Sequence, residues 1–274
     1  MKGEAVICLS SLLTERYPAD AANLTAVLET HGVPYRYLKG TRDIWLRDFM
    51  PVRTGSGHLV SFGYEPSYLA DVPELHTDFR KDIAPGLGLP VIYSQINLDG
   101  GNVVYSPSRR KAMVSDRILR ENPDWDRDEL RQELEMLLET EVILIPSLDS
   151  DMTGHADGMV RFVDEHTVIG NRVPAKHGLE QRIRAVLNQH GIEVVDFPYF
   201  SSPGDSAVGC YLNFLEAGGY IFLPVFGTVM DREAMTLAEA LFDRPVVPVL
   251  LREVARQGGC LNCITWERPE PGGL

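Results

Sequence analysis

Apolar residues recur along the chain in short runs rich in β-branched and aromatic side chains, at 5–9, 34–38, 58–63, 90–96, 102–105, 111–115, 141–145, 158–162, 192–197, 219–226 and 245–250. Runs of this length and composition predict strands. Between them, near 18–31, 73–83, 126–139, 177–190 and 231–242, apolar positions fall at i, i+3 and i+4 spacing, which places them on one face of a helix. Pro18 stands where an N1 proline would, and Gly32 and Gly191 follow the first and fourth of these patterns, as glycine does just past a helix end. Alternating strands and helices predict an α/β fold. The strands are short and often paired between helices, so the pattern is one of repeated ββαβ-like units rather than a βαβ ladder. No Gly/Ser-rich linker or low-complexity stretch divides residues 1–274, which read as one domain.

Charge changes the picture next. Lys plus Arg number 26 against 39 Asp plus Glu, a formal net charge of −13. This repels phosphate backbones and argues against a nucleic-acid partner, while favouring a small cationic ligand. Solubility alone is the plainer account of the same number, since net charge does not say where the acids sit. No apolar run approaches the roughly 20 residues of a membrane helix. The opening segment Met1 to Ser10 lacks a useful signal-peptide core, so the expectation is a cytoplasmic protein with no membrane partner. Cys8, Cys210, Cys260 and Cys263 are too few and too unevenly placed for a disulfide framework, which leaves a free thiol available for chemistry.

Four segments concentrate ionisable residues with glycine or proline at expected strand ends and loops, where functional groups are displayed. They are Trp45-Leu46-Arg47-Asp48-Phe49-Met50-Pro51, Asn97-Leu98-Asp99-Gly100-Gly101-Asn102, Thr153-Gly154-His155-Ala156-Asp157-Gly158-Met159-Val160-Arg161-Phe162 and Gly258-Gly259-Cys260-Leu261-Asn262-Cys263-Ile264-Thr265. On an extended segment His155 and Asp157 leave the same face; the alternative is a surface loop. Cys263, at a loop-strand junction near backbone amides and a protonated His, would ionise more readily than a free cysteine; the alternative is a buried inert thiol. Asp48 and Asp99 precede turn-forming residues and would serve equally as capping acids. Cys260 and Cys263 spell C-x-x-C, but no second such pair and no H-x-x-x-H accompanies them. Neither a structural zinc nor a helix-opening redox pair is expected. Nucleotide-binding glycine loops are absent too, so no cofactor or metal is anticipated.

In this order the four segments resemble the agmatine deiminase and bacterial peptidylarginine deiminase family of guanidine-modifying enzymes. The shared motifs are W-x-R-D-x-x-P, D-G-G-N, G-H-x-D-x-x-x-R-F and G-G-x-x-x-C-I-T, spanning residues 45–265. Cys210-Tyr211-Leu212-Asn213-Phe214 and the run Gly218 to Gly227 are similar to a further family segment. The resemblance implies a five-bladed α/β propeller of ββαβ units around a central active-site pocket. It implies Cys263 as nucleophile, His155 as general acid/base, and Asp48 and Asp157 as the carboxylates that hold a guanidinium. Asp99 falls where the family has glutamate; Trp45 and Arg47 match positions that shape the pocket, and Asn102 and Arg161 join the expected substrate-binding set. Two departures leave the substrate open. Gln257 and Asn262 replace a glycine and a histidine found in agmatine-specific members, and the chain is much shorter than theirs.

The expected reaction is attack of the Cys263 thiolate on the guanidine carbon, loss of ammonia assisted by His155, and hydrolysis of the amidino-cysteine to a ureido product. Arginine, agmatine and peptidyl arginine all satisfy this reading. The rivals are dimethylarginine hydrolysis, amidino transfer, and a guanidine-binding relative without catalysis. Nothing in the sequence decides between a monomer and a homodimer.

Overall fold

The structure, a computed structural model, describes residues 5–148, 151–173, 178–204 and 206–269. Residues 1–4 of the opening segment and residue 177, where one expected helix begins, lie outside these. Among the described residues the fold is mixed α/β, with five three-stranded sheets. In the first, β1 (Val6–Ser10) pairs in parallel with β2 (Tyr35–Leu38) and antiparallel with β15 (Thr265–Arg268). β3 (Val52–Arg53), β4 (Leu59–Gly63) and β5 (Ile92–Asn97) form the second, and β6 (Val103–Tyr105), β7 (Lys111–Ser115) and β8 (Glu141–Ile145) the third. β9 (Val160–Phe162), β10 (Thr167–Asn171) and β11 (Glu193–Phe197) make the fourth; β12 (Leu215–Ala217), β13 (Tyr220–Val225) and β14 (Val246–Leu250) make the fifth. In four of the sheets the middle strand has one antiparallel and one parallel neighbour. A parallel neighbour requires a crossover, and helices supply it, which explains why the sequence pairs strands between helices.

The main crossover helices are Pro18–Thr30, Arg127–Leu138, Leu179–Gln189 and Met230–Leu241, close to the periodic segments. Arg127–Leu138 illustrates the cause. Asp126 accepts from the amides of Asp128 and Glu129 at its start, and Leu130, Leu134 and Leu138 form its buried stripe. Each fully buried leucine contributes roughly 1.5–3 kcal/mol. The segment expected as one helix at 73–83 is instead broken. A 3-10 turn at Pro73–Leu75 stops, Asp78 accepts from Lys81 N and starts a π-turn at Phe79–Ile83, and Ala84–Leu87 closes at left-handed Gly88. The capping acid inside the periodic stretch restarts the helix there. Strands β3, β10 and β12 were not anticipated. Two of them have two or three residues, too short for a period to register, and Gly170 interrupts β10.

Packing divides the chain into two compact units, residues 48–196 and residues 1–47 with 197–274. The second unit carries the sheets containing β1 and β13 around a core that includes Ile7, Leu9, Leu24, Phe222, Val249 and Ile264. Here Asp20, fully buried on helix Pro18–Thr30, accepts from the amides of Arg252, Glu253 and Val254 at 3.0, 2.8 and 2.8 Å. Three amides depend on one carboxylate, so Asp20→Ala is expected to cost about 3 kcal/mol, read as a lower urea midpoint with unchanged slope. Among the described residues no helix is long and apolar enough to cross a membrane.

Candidate active site

Within residues 48–196 four of the expected residues converge. His155 has extended backbone and leads into a 3-10 turn at Ala156–Gly158, so the route by which His155 and Asp157 reach one place is a tight turn rather than the extended face expected. Asn102 holds that turn. Its Oδ1 accepts from Ser115 N at 2.9 Å and Ala156 N at 3.1 Å, and Nδ2 donates to Ser115 O at 3.5 Å. The Asn102 amide is therefore engaged with backbone at both ends and braces the site. Arg161 is buried on β9, opposite Ile169.

His155 Nε2 lies 2.7 Å from Asp99 Oδ2, and Nδ1 lies 3.6 Å from Asp48 Oδ1. Asp99 makes no capping bond to the 3-10 turn that follows it; its carboxylate serves the imidazole. Tyr68, which no motif singled out, donates to the same Oδ2 at 2.8 Å. Gly101 explains the closeness. A Cβ on it would stand 2.6 Å from Asp48 Oδ1, 2.8 Å from His155 Nδ1 and 3.5 Å from Asp157 Oδ2, so three functional groups meet on a bare Cα. Gly101→Ala must push the carboxylate and imidazole apart, and a loss of about 10- to 100-fold in kcat is expected, measured against an unchanged melting temperature.

Electrostatics follow from three carboxylates around one imidazole, all buried. Burial draws the His155 pKa down, but Asp48, Asp99 and Asp157 outweigh it and push it up to about 10. Burial raises Asp48 to about 8, with His155 opposing and Asp99 and Asp157 assisting. At about 4 Å and an effective dielectric near 20, two unit charges interact by about 4 kcal/mol. Even with His155 protonated, ionising all three acids together would leave an excess of negative charge out of water, which is why burial and its neighbours raise Asp48. Asp48 Oδ1 also has no hydrogen-bond partner among the described residues. A buried, unsatisfied acceptor in a negative cluster calls for a cationic donor.

The thiol belongs to the other unit. Cys263 is buried in the turn before β15, where Asn213 Nδ2 donates to its Sγ at 3.2 Å. Asn213 Oδ1 accepts from the amides of Cys260 and Cys263 at 3.1 and 3.2 Å, and its own carbonyl accepts from Asn262 N at 3.1 Å. One asparagine thus sets the whole loop and aims a donor at the sulfur. Arg47 N donates to Cys263 O at 3.0 Å and Arg47 Nε to Asn262 O at 3.3 Å. A Cβ on Gly259 would fall 2.5 Å from the Trp45 ring and 3.0 Å from Cys263 Cβ, so only glycine lets the indole lie against this loop. Cys260 is fully buried with Sγ 3.6 Å from Ala207 O.

Comparison with known proteins bears on what this arrangement is. The sequence model of the Porphyromonas-type peptidyl-arginine deiminase family matches residues 9–269. The chain belongs to that family. Among curated relatives of this peptidyl-arginine deiminase family member, the agmatine deiminases of Stutzerimonas stutzeri and Pseudomonas fluorescens are 35% and 34% identical over 82 residues, 30% of this chain. The matched stretch spans only 22% of those relatives' length. Among solved structures, C. jejuni agmatine deiminase aligns over 98% of this chain and 94% of its own, with TM-score 0.79 and 15% identity. Agmatine deiminase of Enterococcus faecalis aligns over the same shares with TM-score 0.77 and 15% identity. At that identity the likeness is one of fold, and it accords with the five small sheets of this family member.

Proposed function

We propose that the chain is a cysteine-dependent hydrolase of guanidine groups, and that its five sheets are the blades of a single five-bladed α/β propeller domain around a central pocket. The observation that carries the reading is Asp48 Oδ1, buried without a hydrogen-bond partner among the described residues, within a cluster of three carboxylates and one imidazole. A guanidinium is planar, permanently charged and rich in donors, so Asp48 and Asp157 can grip its edge and leave its carbon face open. Cys263 sulfur then bonds to that carbon, the C=N electrons moving to nitrogen. His155, whose Nε2 is engaged with Asp99, gives a proton from Nδ1 to the departing nitrogen. Ammonia leaves, and an amidino-cysteine remains. Water activated by the now neutral imidazole adds to it, the C–S bond breaks, and a ureido product departs. Trp45 and Arg47 shape the thiol loop, and Arg161 lies in the substrate-binding set.

Membership of the family supports an arginine-like substrate, with agmatine, free arginine and peptidyl arginine as the members to distinguish. Incubation with each, and with methylated arginines, is expected to yield ammonia and a ureido compound from at least one. Methylamine as the product would instead favour dimethylarginine hydrolysis, and a new guanidine formed from an added amine would favour amidino transfer. Binding with no product would identify a non-catalytic relative. Because the Asp48 carboxyl sits at about 8, a bound guanidinium must displace its proton at pH 7. Calorimetry in buffers of different ionisation enthalpy should count about one proton released, and affinity should rise about tenfold per pH unit toward 8 and then level. Uptake of a proton, or pH-independent binding, would remove Asp48 from the grip.

A further inference from the structure

The proposed reaction needs an imidazole that gives a proton in one half and takes one back in the other, so the group behind the ring matters. Asp99 Oδ2 receives two donors, His155 Nε2 at 2.7 Å and the Tyr68 hydroxyl at 2.8 Å. The Tyr68 ring also meets the imidazole edge-on, with centroids 6.2 Å apart and planes at 68°. Tyr68 sits in a one-turn 3-10 helix, Ser67–Leu69, and that turn is fastened from outside. Ser67 N and Oγ donate to Glu121 at 3.1 and 2.7 Å, Arg117 Nη2 donates to Ser67 Oγ at 2.9 Å, and Arg117 Nε pairs with Glu121 at 2.8 Å. The Arg117–Glu121 pair is largely shielded, at 12% and 14% exposure, so it fixes the turn more firmly than a surface ion pair would.

We propose that Tyr68 is a positioning residue for His155, acting through Asp99: its hydroxyl occupies part of the shared oxygen and limits how tightly Asp99 holds the imidazolium. The inference rests on His155 being the acid/base of the reading above. A carboxylate that accepts a second hydrogen bond has its charge better stabilised, and is a weaker acceptor toward the first donor. With the phenol gone, Asp99 would pull harder on the Nε2 proton. The imidazole would then be slower to become neutral, which is the state that activates water. Burial, and then the Asp99 charge, hold the Tyr68 phenol well above its ordinary range, so it stays a donor throughout the working pH. Within this unit the titratable groups facing the imidazole are Asp48, Asp99 and Asp157, with Tyr64 beside Tyr68. Arg117 and Glu121 line the same cleft as Asp99 and His155. Of these, Tyr68 is the one that donates a hydrogen bond to the oxygen shared with the ring.

The test is a histidine 15N NMR titration of ligand-free wild type and Tyr68→Phe, with pH profiles of turnover alongside. The His155 midpoint is expected to move up by about half a pH unit or more. The basic limb of the kcat profile should move with it, kcat falling about tenfold while KM stays within about twofold. An unchanged or lowered His155 midpoint in folded Tyr68→Phe overturns the proposal. Ser67→Ala keeps the phenol but loosens its turn, and a smaller upward movement is expected. No movement in that variant while Tyr68→Phe is unfolded also counts against the proposal. The titration needs no turnover, so a wild-type protein inert toward guanidines would overturn the functional reading and leave the Tyr68 result to stand or fall separately.

Discussion

Cys263→Ala is expected to abolish ureido formation, down to the uncatalysed background, while guanidinium binding measured by calorimetry stays near the wild-type value. The separation follows from where the groups lie. The charges that would hold a cation are Asp48, Asp99 and Asp157 in residues 48–196, whereas the sulfur is set by Asn213 in the other unit. Burial pushes the Cys8 thiol up to about 12 against the pull of Arg36 and Arg268, and Cys260 faces a backbone carbonyl. Without a nucleophile the two-step route closes altogether. Appreciable turnover by the alanine variant would eliminate the thiol from the mechanism.

His155→Ala should lose about 10² to 10⁴ in kcat, the usual worth of positioned proton transfer. It should also change stability with a defined sign. The His155 pKa is raised from 6.5 to about 10, so its contribution is fully present below about pH 6.5 and is lost as pH rises through about 10. The gap in melting temperature between wild type and variant should therefore be widest near pH 6 and close toward pH 10. A gap that widens with pH would contradict a protonated imidazole held by acids.

Much of the candidate site was legible in the sequence because its residues stand in local motifs. Asp48, Asp99, His155 and Cys263 each stand in a short motif with glycine or proline, and strands such as Glu141–Ile145 announce themselves by β-branched residues. Tyr68 was not legible. It reaches Asp99 across 31 positions from a loop of ordinary composition, and only the fold brings them together. Asn102 stood out in the sequence, but its bonds to Ser115 and Ala156 did not, since an asparagine after Gly-Gly carries no local sign of which backbone groups its amide will brace. The break at His76–Asp78 was hidden for a related reason. Apolar spacing continues through it, and the Asp78 cap that interrupts the helix is visible only as a hydrogen bond.

Strand β15 pairs with β1, so residues 265–268 are fastened to residues 6–9 in one sheet. Cys263 sits two residues before that strand. The carboxylate cluster, by contrast, is built entirely from the continuous stretch 48–196. Closing a loop of about 260 residues is entropically the slowest kind of contact to form. During synthesis or refolding, then, the acids and imidazole can assemble early, whereas the turn that carries the sulfur is anchored to its sheet only once the two ends of the sequence have met.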